Sequence, residues 1–269
     1  MKLLLLFAFF STLPLTLTGQ TAEEILANTE SAYQKLRNYV DQGTLVPEYK
    51  LMPVPMDTTT YHIAMDRKGN VSYRLNKNLA GWASGAEFAK TAKDSNGIYT
   101  RLSSADAPFA CGMEEAEARL MGTGGIMFYL VGSMFYEDTR SDSQTPTSMI
   151  QNFDTAKRLD DTTINDAVCF VIKTKKTFII SQELADEQNF KSDSTQGLLS
   201  LPPEQRGGPR TEAGPRTSEH KYYIRQSDLM LIRVENYHST DDTEIPKYKS
   251  TLVLHPMYNV KDFDKYLQE

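Results

Sequence analysis

Alternation of apolar and polar residues along the chain predicts β-strands. Every second residue is apolar from Thr59 to Asp66, and the same alternation recurs at 71–76. Ile63 and Tyr73 lie on the apolar faces of these two segments, and the polar residues 67–70 between them are typical of a turn. Strands with one apolar and one solvated face are typical of an antiparallel sheet that covers a core on one side.

Further alternating segments extend this sheet along most of the chain. They predict strands at 39–46, 96–102, 153–159, 167–173, 177–181, 221–226, 229–237 and 248–255. A polar turn is predicted at 160–166, and the clearest hairpin turns at Ser227 and Asp228. In that hairpin we expect Ile224 to lie opposite Leu231 and Tyr223 opposite Ile232.

Helical periodicity appears at the two ends of this β-rich region. Thr21 and Glu24 form a capping box, and apolar residues then recur at helical spacing over 22–37. The tail 259–269 carries Phe263, Tyr266 and Leu267 at a similar spacing and predicts a short docking helix. The N-terminal helix is expected to lay its apolar stripe on the sheet.

The most apolar run of the predicted mature chain is 122–136, which carries no charge and follows a charged helical segment at 113–120. At about 13 residues it is shorter than the roughly 20 that cross a bilayer, so we interpret it as a helix inside the fold. Two roles remain open: an ordinary core helix, or a helix whose methionines and aromatic residues line a cavity for an apolar ligand. The residues concerned are Met127, Phe128, Leu130, Val131, Met134 and Phe135.

Two segments between the regular elements are harder to assign. The Gly- and Ala-rich stretch 78–94 contains the only tryptophan, Trp82, and is interpreted as a loop or a short helix. Trp82 is expected either to line the cavity or to sit in the core or at its rim. Residues 183–218 hold few apolar side chains and many Pro, Gly and polar residues, which predicts a flexible insertion between two strands.

The first 19 residues have the pattern of a secretory signal peptide. Lys2 precedes a short apolar run, and small or hydroxylated residues lead to Gly19, near which cleavage is expected. A retained anchor is the alternative, although Pro14 interrupts the run. The protein is therefore predicted to be exported to the periplasm, without stable membrane insertion. Cys111 and Cys169 could form a disulfide there or remain free.

Composition excludes several function classes. Lys and Arg number 29 and Asp and Glu number 35, which gives the full chain a net charge of −6. An acidic chain without a basic stripe argues against binding of nucleic acid. The four histidines stand singly, so no metal site is predicted, and we expect no cofactor. No Gly-x-Ser-x-Gly motif is present, and no Ser-x-x-Lys appears with a supporting motif, which argues against an enzyme.

Three segments resemble the LolA-like family of periplasmic lipoprotein carriers and their relatives. They are the helix exit at 32–39 that leads to Gly43, the turn and cysteine-aromatic strand at 164–172, and the late hairpin at 222–233. The resemblance implies one domain over 20–269 of the α+β class, mainly antiparallel. It would be an unclosed curved β-barrel, or half-barrel, whose helices cover an apolar concave face.

The resemblance also implies a function that agrees with the apolar strand faces. A carrier of this kind shelters an acyl chain, a lipid or a lipoprotein. The expected lining combines the residues named in the 122–136 run with Trp82, Ile63 and Tyr73. The alternatives are an envelope sensor or protein-interaction module on the same fold, with a protein of the cell envelope as partner, and an exported hydrolase.

Overall fold

The computed structural model describes residues 19–49, 58–79, 82–90, 98–101, 109–111, 126–135, 149–195, 202, 212–239 and 248–268. The predicted charged helix at 113–120 and residues 1–18 of the predicted signal peptide lie outside these residues. They remain predictions.

Twelve strands of the described chain form one antiparallel sheet. Their bounds are β1 Asn38–Tyr49, β2 Thr59–Asp66, β3 Val71–Leu79, β4 Trp82–Lys90, β5 Ile98–Arg101, β6 Phe109–Cys111, β7 Thr155–Ile164, β8 Ala167–Ile180, β9 Gly214–Arg225, β10 Leu231–Ser239, β11 Tyr248–Val253 and β12 Met257–Tyr258.

The order across the sheet is β6-β5-β4-β3-β2-β1-β11-β10-β9-β8-β7, and β12 pairs with β1. The strands β6 and β7 form the two ends of this order, and no pairing of described residues joins them. The predicted fold class is therefore confirmed: the protein is mainly antiparallel, with few helices and an unclosed, half-barrel sheet.

Four α-helices and one short 3-10 helix, Met149–Gln151, accompany the sheet in the described residues. The α-helices are α1 Ala22–Gln34, α2 Ile126–Phe135, α3 Gln182–Thr195 and α4 Asp264–Gln268. Both α1 and α2 contribute to one large apolar cluster with the strands from β1 to β3 and from β8 to β11. Near α4, Phe263 packs with Val40 and Ala64 in a separate small cluster. Because Val40 alternates with Tyr39 along β1, the two clusters lie on opposite faces of the sheet.

The predicted N-terminal helix is confirmed, together with its cap. The Glu24 backbone N–H donates to Thr21 Oγ1 over 3.2 Å, and the Thr21 N–H donates to the Glu24 carboxylate over 2.9 Å. The buried residues Ile25, Leu26 and Tyr33 recur at helical spacing and face the sheet. A capped helix with one apolar stripe is thereby fixed on the core.

The interpretation of 78–94 as a loop or short helix was wrong. Trp82 begins strand β4, which pairs with β3 from Leu79 opposite Trp82 to Val71 opposite Lys90. The signal in this stretch was its Gly- and Ala-rich composition, but a nine-residue ladder outweighs local propensity because each pair adds cross-strand hydrogen bonds and contacts.

Two predicted boundaries in the second half of the sheet were also wrong. Strand β7 runs through Ile164, so the turn before β8 consists of Asn165 and Asp166 alone, with φ of 48° and 64°. Positive φ at both central residues is what a tight type I′ hairpin turn requires. Strand β8 continues without a break to Ile180, so the separate strand predicted at 177–181 is the end of β8.

The late hairpin follows only half of the expected register. Ile224 lies opposite Leu231 as predicted, but Tyr223 lies opposite Arg233 because a bulge follows Leu231. The bulge adds one residue to β10 and shifts every later pair.

The segment 183–218 contains more regular structure than predicted. Helix α3 occupies its beginning, where the Leu184 N–H donates to Ser181 Oγ over 3.1 Å and caps the helix. Strand β9 begins at Gly214, opposite Ile180, because the longer β8 provides it with a partner. The two ends of the segment are therefore ordered parts of a long β8–β9 hairpin.

Candidate functional site

One face of the sheet is apolar and is covered by α1 and α2; we call it the inner face. Its apolar lining from the strands consists of Tyr39, Leu45, Tyr61, Ile63, Met65, Val71, Tyr73, Phe170, Ile172, Tyr222, Ile224, Leu231, Val234, Leu252 and Leu254. These side chains form one cluster with the buried side of α1 and with α2. The inner face is therefore the part of the described chain best suited to an apolar ligand.

Six of the nine residues predicted to line a cavity meet in this cluster. Ile63, Tyr73, Val131, Met134 and Phe135 are fully buried, and Leu130 is 3% exposed. Met127 and Phe128 lie in α2 and Trp82 begins β4, but their side chains are outside the described part. Their role in binding, like that of the other six, remains a prediction.

Helix α2 has an unusual position for a glycine. Gly132 is buried, yet no atom of the described residues lies within 4 Å of an ideal Cβ built on it, apart from its chain neighbours and the helix's own backbone. The flanking Val131 and Met134 are fully buried. The described residues therefore leave room for at least one methyl group beside the middle of α2.

Arg67, from the turn between β2 and β3, binds the C-terminal ends of both covering helices. Its guanidinium donates to the carbonyls of Tyr33 (3.0 Å) and Leu36 (2.9 Å), and also to those of Gln34 and Phe135. The same group lies 4.1 Å from the centroid of the Phe135 ring. Because the last carbonyls of a helix lack intrahelical partners, this one side chain caps α1 and α2 together.

A chain of buried polar groups crosses the inner face beneath α1. The Leu231 N–H, which the bulge releases from the ladder, donates to the Tyr33 hydroxyl over 3.3 Å. The Tyr33 and Tyr39 rings lie 5.4 Å apart, and the Tyr39 hydroxyl donates to Asp41 Oδ2 over 2.7 Å. The other Asp41 oxygen accepts from the His255 N–H over 2.8 Å. These bonds connect α1 to β1 and to the chain after β11.

Asp41 is a carboxyl group in an apolar interior. Complete burial raises its pKa from 3.8 to about 7, although hydrogen bonds from Tyr39 and from the His255 backbone act in the opposite direction. Burial also raises the pKa of Tyr39 well above its ordinary value. The inner face therefore holds a carboxyl that changes charge near neutral pH.

Farther along the strands the inner face becomes polar. The cross-strand row Ile172–Tyr222–Val234–Leu252 is followed, two residues on, by the row Thr174–His220–Asn236–Ser250. His220 Nδ1 lies 2.7 Å from Asn236 Oδ1, and the Ser218 hydroxyl lies 3.0 Å from His220 Nε2. Except for the half-buried His220, the side chains of the polar row are buried.

The opposite face of the same strands carries charge. Glu235 is buried and accepts hydrogen bonds from the Tyr223 and Tyr237 hydroxyls, and it pairs with Arg233 at 2.6 Å.

Two grooves on the described surface, of about 520 Å³ beside β7 and about 800 Å³ beside α4, are lined mainly by charged and polar residues. Neither groove matches an apolar ligand as well as the inner face does.

Other predicted sites can be located only in part. Cys169 is a buried free thiol whose pKa is raised by burial. The described residues hold no group of three His, Cys, Asp or Glu side chains arranged to hold a metal ion. Among the described helices, none has the length and apolarity needed to cross a membrane.

Sequence reasoning missed three residues of this region: Asp41, Arg67 and His220. Asp41 left a signal, since it stands between Tyr39 and Gly43 at an inner-face position of an otherwise alternating strand. Arg67 had the appearance of an ordinary turn residue, and the partners of His220 come from β9 and β10 together. The last two could be recognised only once the strands were paired.

Comparisons with known proteins give structural likeness only. No family model and no curated protein sequence matches the chain. Its structure is similar to that of LprF from Mycobacterium bovis, with 12% identity, 87% of this chain and 91% of that chain covered, and a TM-score of 0.42.

Two further solved structures are also similar to this chain. The lipoprotein LppX of Mycobacterium tuberculosis has 10% identity over 87% of this chain and 94% of its own, with a TM-score of 0.40. A LolA superfamily protein from Nitrosomonas europaea has 9% identity over 93% and 98%, with a TM-score of 0.30. The last of these proteins bears the name of the family that three segments of the sequence resemble.

Proposed function

We propose that the protein is an exported carrier that shelters the acyl chain of a lipid or lipoprotein between the inner face and α2. The observation that carries this proposal is the inner face itself. A wide apolar sheet surface is covered by a ten-residue helix, Ile126–Phe135, in which Ser133 is the only polar residue. Such a helix is stable in water only while it is covered.

The energetics of the site favour an acyl chain. Burial of one methylene contributes about 0.8 kcal/mol, so twelve carbons contribute about 10 kcal/mol before the cost of association. The space beside Gly132 is where the chain would enter the cluster. Met134, which is buried nearby on the same helix, is a flexible side chain that can adapt to an irregular guest.

The proposed mechanism uses α2 as a cover that shifts to admit the guest. The cover contacts α1, and both helices end at Arg67, so they would move about one common fixed point. No charged contact is needed to hold the chain. Release would then require a competing apolar surface at the membrane or on an acceptor protein.

Binding of a fluorescent acyl-chain probe tests this proposal. In titrations, Met134→Asp and Phe128→Asp should weaken probe binding at least tenfold, because a carboxylate in the binding region must be desolvated. Gly132→Leu should weaken binding by filling the space beside α2, whereas Gly132→Ala should retain most of the affinity. Circular dichroism and urea unfolding establish that each variant is folded. Wild-type affinity in folded Gly132→Leu and Met134→Asp would overturn the proposal.

A protein-interaction module is the second candidate, favoured by one observation. Large apolar side chains are exposed at the end of β8 and on α3: Phe178 at 42%, Ile179 at 78%, Leu184 at 41% and Phe190 at 59%. Large apolar side chains that are exposed to solvent are found at protein contact surfaces when they form a patch. In-cell cross-linking should then capture an envelope protein with wild-type protein but not with Ile179→Asp, while acyl-probe binding stays unchanged.

A further inference from the structure

The polar part of the inner face contains a directed chain of hydrogen bonds. Asn236 Nδ2 donates to Ser250 Oγ over 3.1 Å, which turns the Asn236 carbonyl oxygen towards His220. That oxygen lies 2.7 Å from His220 Nδ1, and Ser218 Oγ lies 3.0 Å from His220 Nε2. The order Ser218–His220–Asn236 is that of a nucleophile, a base and a group that orients the base.

For a neutral imidazole, the Asn236 amide oxygen beside Nδ1 selects one tautomer of His220. An amide oxygen can only accept, so His220 Nδ1 carries the hydrogen and donates it to Asn236. The Nε2 atom is then left with its lone pair and accepts from the Ser218 hydroxyl. This is the tautomer in which an imidazole can take a proton from serine.

The surroundings keep this imidazole neutral and in place. Burial lowers the pKa of His220, while the hydrogen bond to Asn236 acts in the opposite direction. The ring stacks on Tyr222 with centroids 5.8 Å apart and 19° between the planes. Ser218 and Asn236 are 7% and 3% exposed, so both are shielded from bulk water. A neutral, oriented imidazole is the form that acts as a general base.

The position of the chain suggests the class of substrate. Ser218 lies one residue from the end of the β9–β10 pairing, where Thr217 pairs with Ser239. Its cross-strand neighbour on β8 is Lys176, whose Nζ is 3.2 Å from Asp154. The apolar row of the inner face begins two strand positions beyond His220. An acyl chain that lies on that row and turns along β9 past His220 would bring its ester group towards Ser218.

We infer that Ser218, His220 and Asn236 form a nucleophilic site for carboxylic esters of acyl chains. Ser218 Oγ forms a bond to the ester carbonyl carbon as its proton passes to His220 Nε2. The carbon–oxygen bond to the alcohol then breaks, and the alcohol leaves with that proton, which gives an acyl-serine. Water, activated by the same imidazole, releases the carboxylic acid and restores the serine. Asn236 is a positioning residue, because its amide oxygen holds the His220 ring at Nδ1.

A fluorophosphonate probe tests this inference without reference to lipid binding. It reacts with an activated serine by forming an Oγ–P bond and expelling fluoride. Incubation of the whole folded protein should give one adduct, which peptide mass spectrometry assigns to Ser218. Ser218→Ala and His220→Gln should lower the labelling rate at least a hundredfold, and Ser72→Ala, at a buried serine on β3, should leave it unchanged.

Variants of Asn236 separate positioning from mere support of the fold. Asn236→Asp keeps an acceptor for His220 Nδ1 and should retain labelling within tenfold, whereas Asn236→Leu should abolish it in a protein that still unfolds cooperatively. Hydrolysis of a p-nitrophenyl acyl ester should follow the same order. Absence of a Ser218 adduct on the folded wild-type protein would overturn the inference and leave the proposed carrier function intact.

Discussion

Asp41 places a titrating carboxyl at the centre of the inner face. Its two oxygens are occupied by the Tyr39 hydroxyl and the His255 N–H, so the group is satisfied as a hydrogen-bond acceptor. Its charge is nevertheless costly, because full burial raises its pKa from 3.8 to about 7. The folded state thus binds a proton more tightly than the unfolded state, and this group lowers stability as pH rises from about 4 to about 7.

Asp41→Asn should remove that pH dependence. Each unit of pKa difference corresponds to about 1.4 kcal/mol, so the wild-type protein should lose about 4 kcal/mol from this group between pH 4 and pH 8. Asparagine accepts from the His255 N–H, and the Tyr39 hydroxyl can rotate to accept from the amide. Urea unfolding at pH 4 and pH 8 measures the change in the free energy of unfolding for the wild type and for Asp41→Asn. Asp160→Asn, at an exposed position, is the control for removal of a carboxyl. If the stability of Asp41→Asn falls with pH as steeply as that of the wild type, Asp41 is not the cause of the pH dependence.

Gly43 shows how closely β1 approaches its neighbours. A Cβ at this position would lie 2.1 Å from the Val253 carbonyl oxygen and 2.2 Å from the Tyr61 hydroxyl. The carbonyl is part of the backbone and cannot move aside, and the Tyr61 hydroxyl donates to it over 3.1 Å. Only glycine fits this crossing without a shift of β1 against β11.

Gly43→Ala should therefore lower the free energy of unfolding by about 1–3 kcal/mol or more, as overpacking does. Gly132→Ala, at the glycine whose Cβ would meet no described atom within 4 Å, should raise stability by about 0.5–1 kcal/mol, since alanine favours a helix. Urea unfolding of the two matched variants measures both effects. Equal stabilities for Gly43→Ala and the wild type would show that β1 can shift freely.

At the scale of elements, the two covering helices depend on a single side chain. Arg67 donates to carbonyls of α1 and α2 at once, and its planar guanidinium also stacks on Phe135. Lysine cannot reproduce this, because one ammonium group lacks the fork that reaches several carbonyls and the flat face that stacks. The position of α2 on the inner face is thus linked to that of α1.

Arg67→Ala should loosen α2 more than it loosens the sheet. Loss of several hydrogen bonds from a charged donor should cost about 2–4 kcal/mol. Hydrogen exchange should speed up in the last turns of α1 and α2 while the amides of β8 and β9 stay protected. Lys68→Ala, in the same turn, is the control. If hydrogen exchange in α2 is unchanged in Arg67→Ala, Arg67 does not hold the end of this helix.

The elements also show what sequence alone can predict. The capped helix α1 and the strand Thr59–Asp66 were predicted because each carries its own periodicity, and the apolar helix α2 was predicted from its uncharged apolar run. The strand at Trp82 was missed because its stability comes from pairing with β3, which local composition does not encode. The shift at Tyr223 depends on a bulge, so alternation alone could not reveal it.

At the scale of the whole molecule, the two faces of the sheet differ in chemistry. The inner face and its two helices form the large apolar cluster, while the other face carries ion pairs and the small cluster at Phe263. An unclosed sheet with one covered apolar face can accept a guest by movement of the cover, without separation of strands. The apolar lining was predictable from alternation, whereas the polar row at His220 needed the strand order.

The most direct test is extraction of the protein, purified from its native host, into organic solvent, with quantification of lipid by mass spectrometry. The carrier account predicts about one acyl-chain lipid per protein molecule, and a marked loss of that lipid from folded Gly132→Leu prepared in the same way. Purified wild-type protein that carries no lipid and takes up no acyl probe would contradict it.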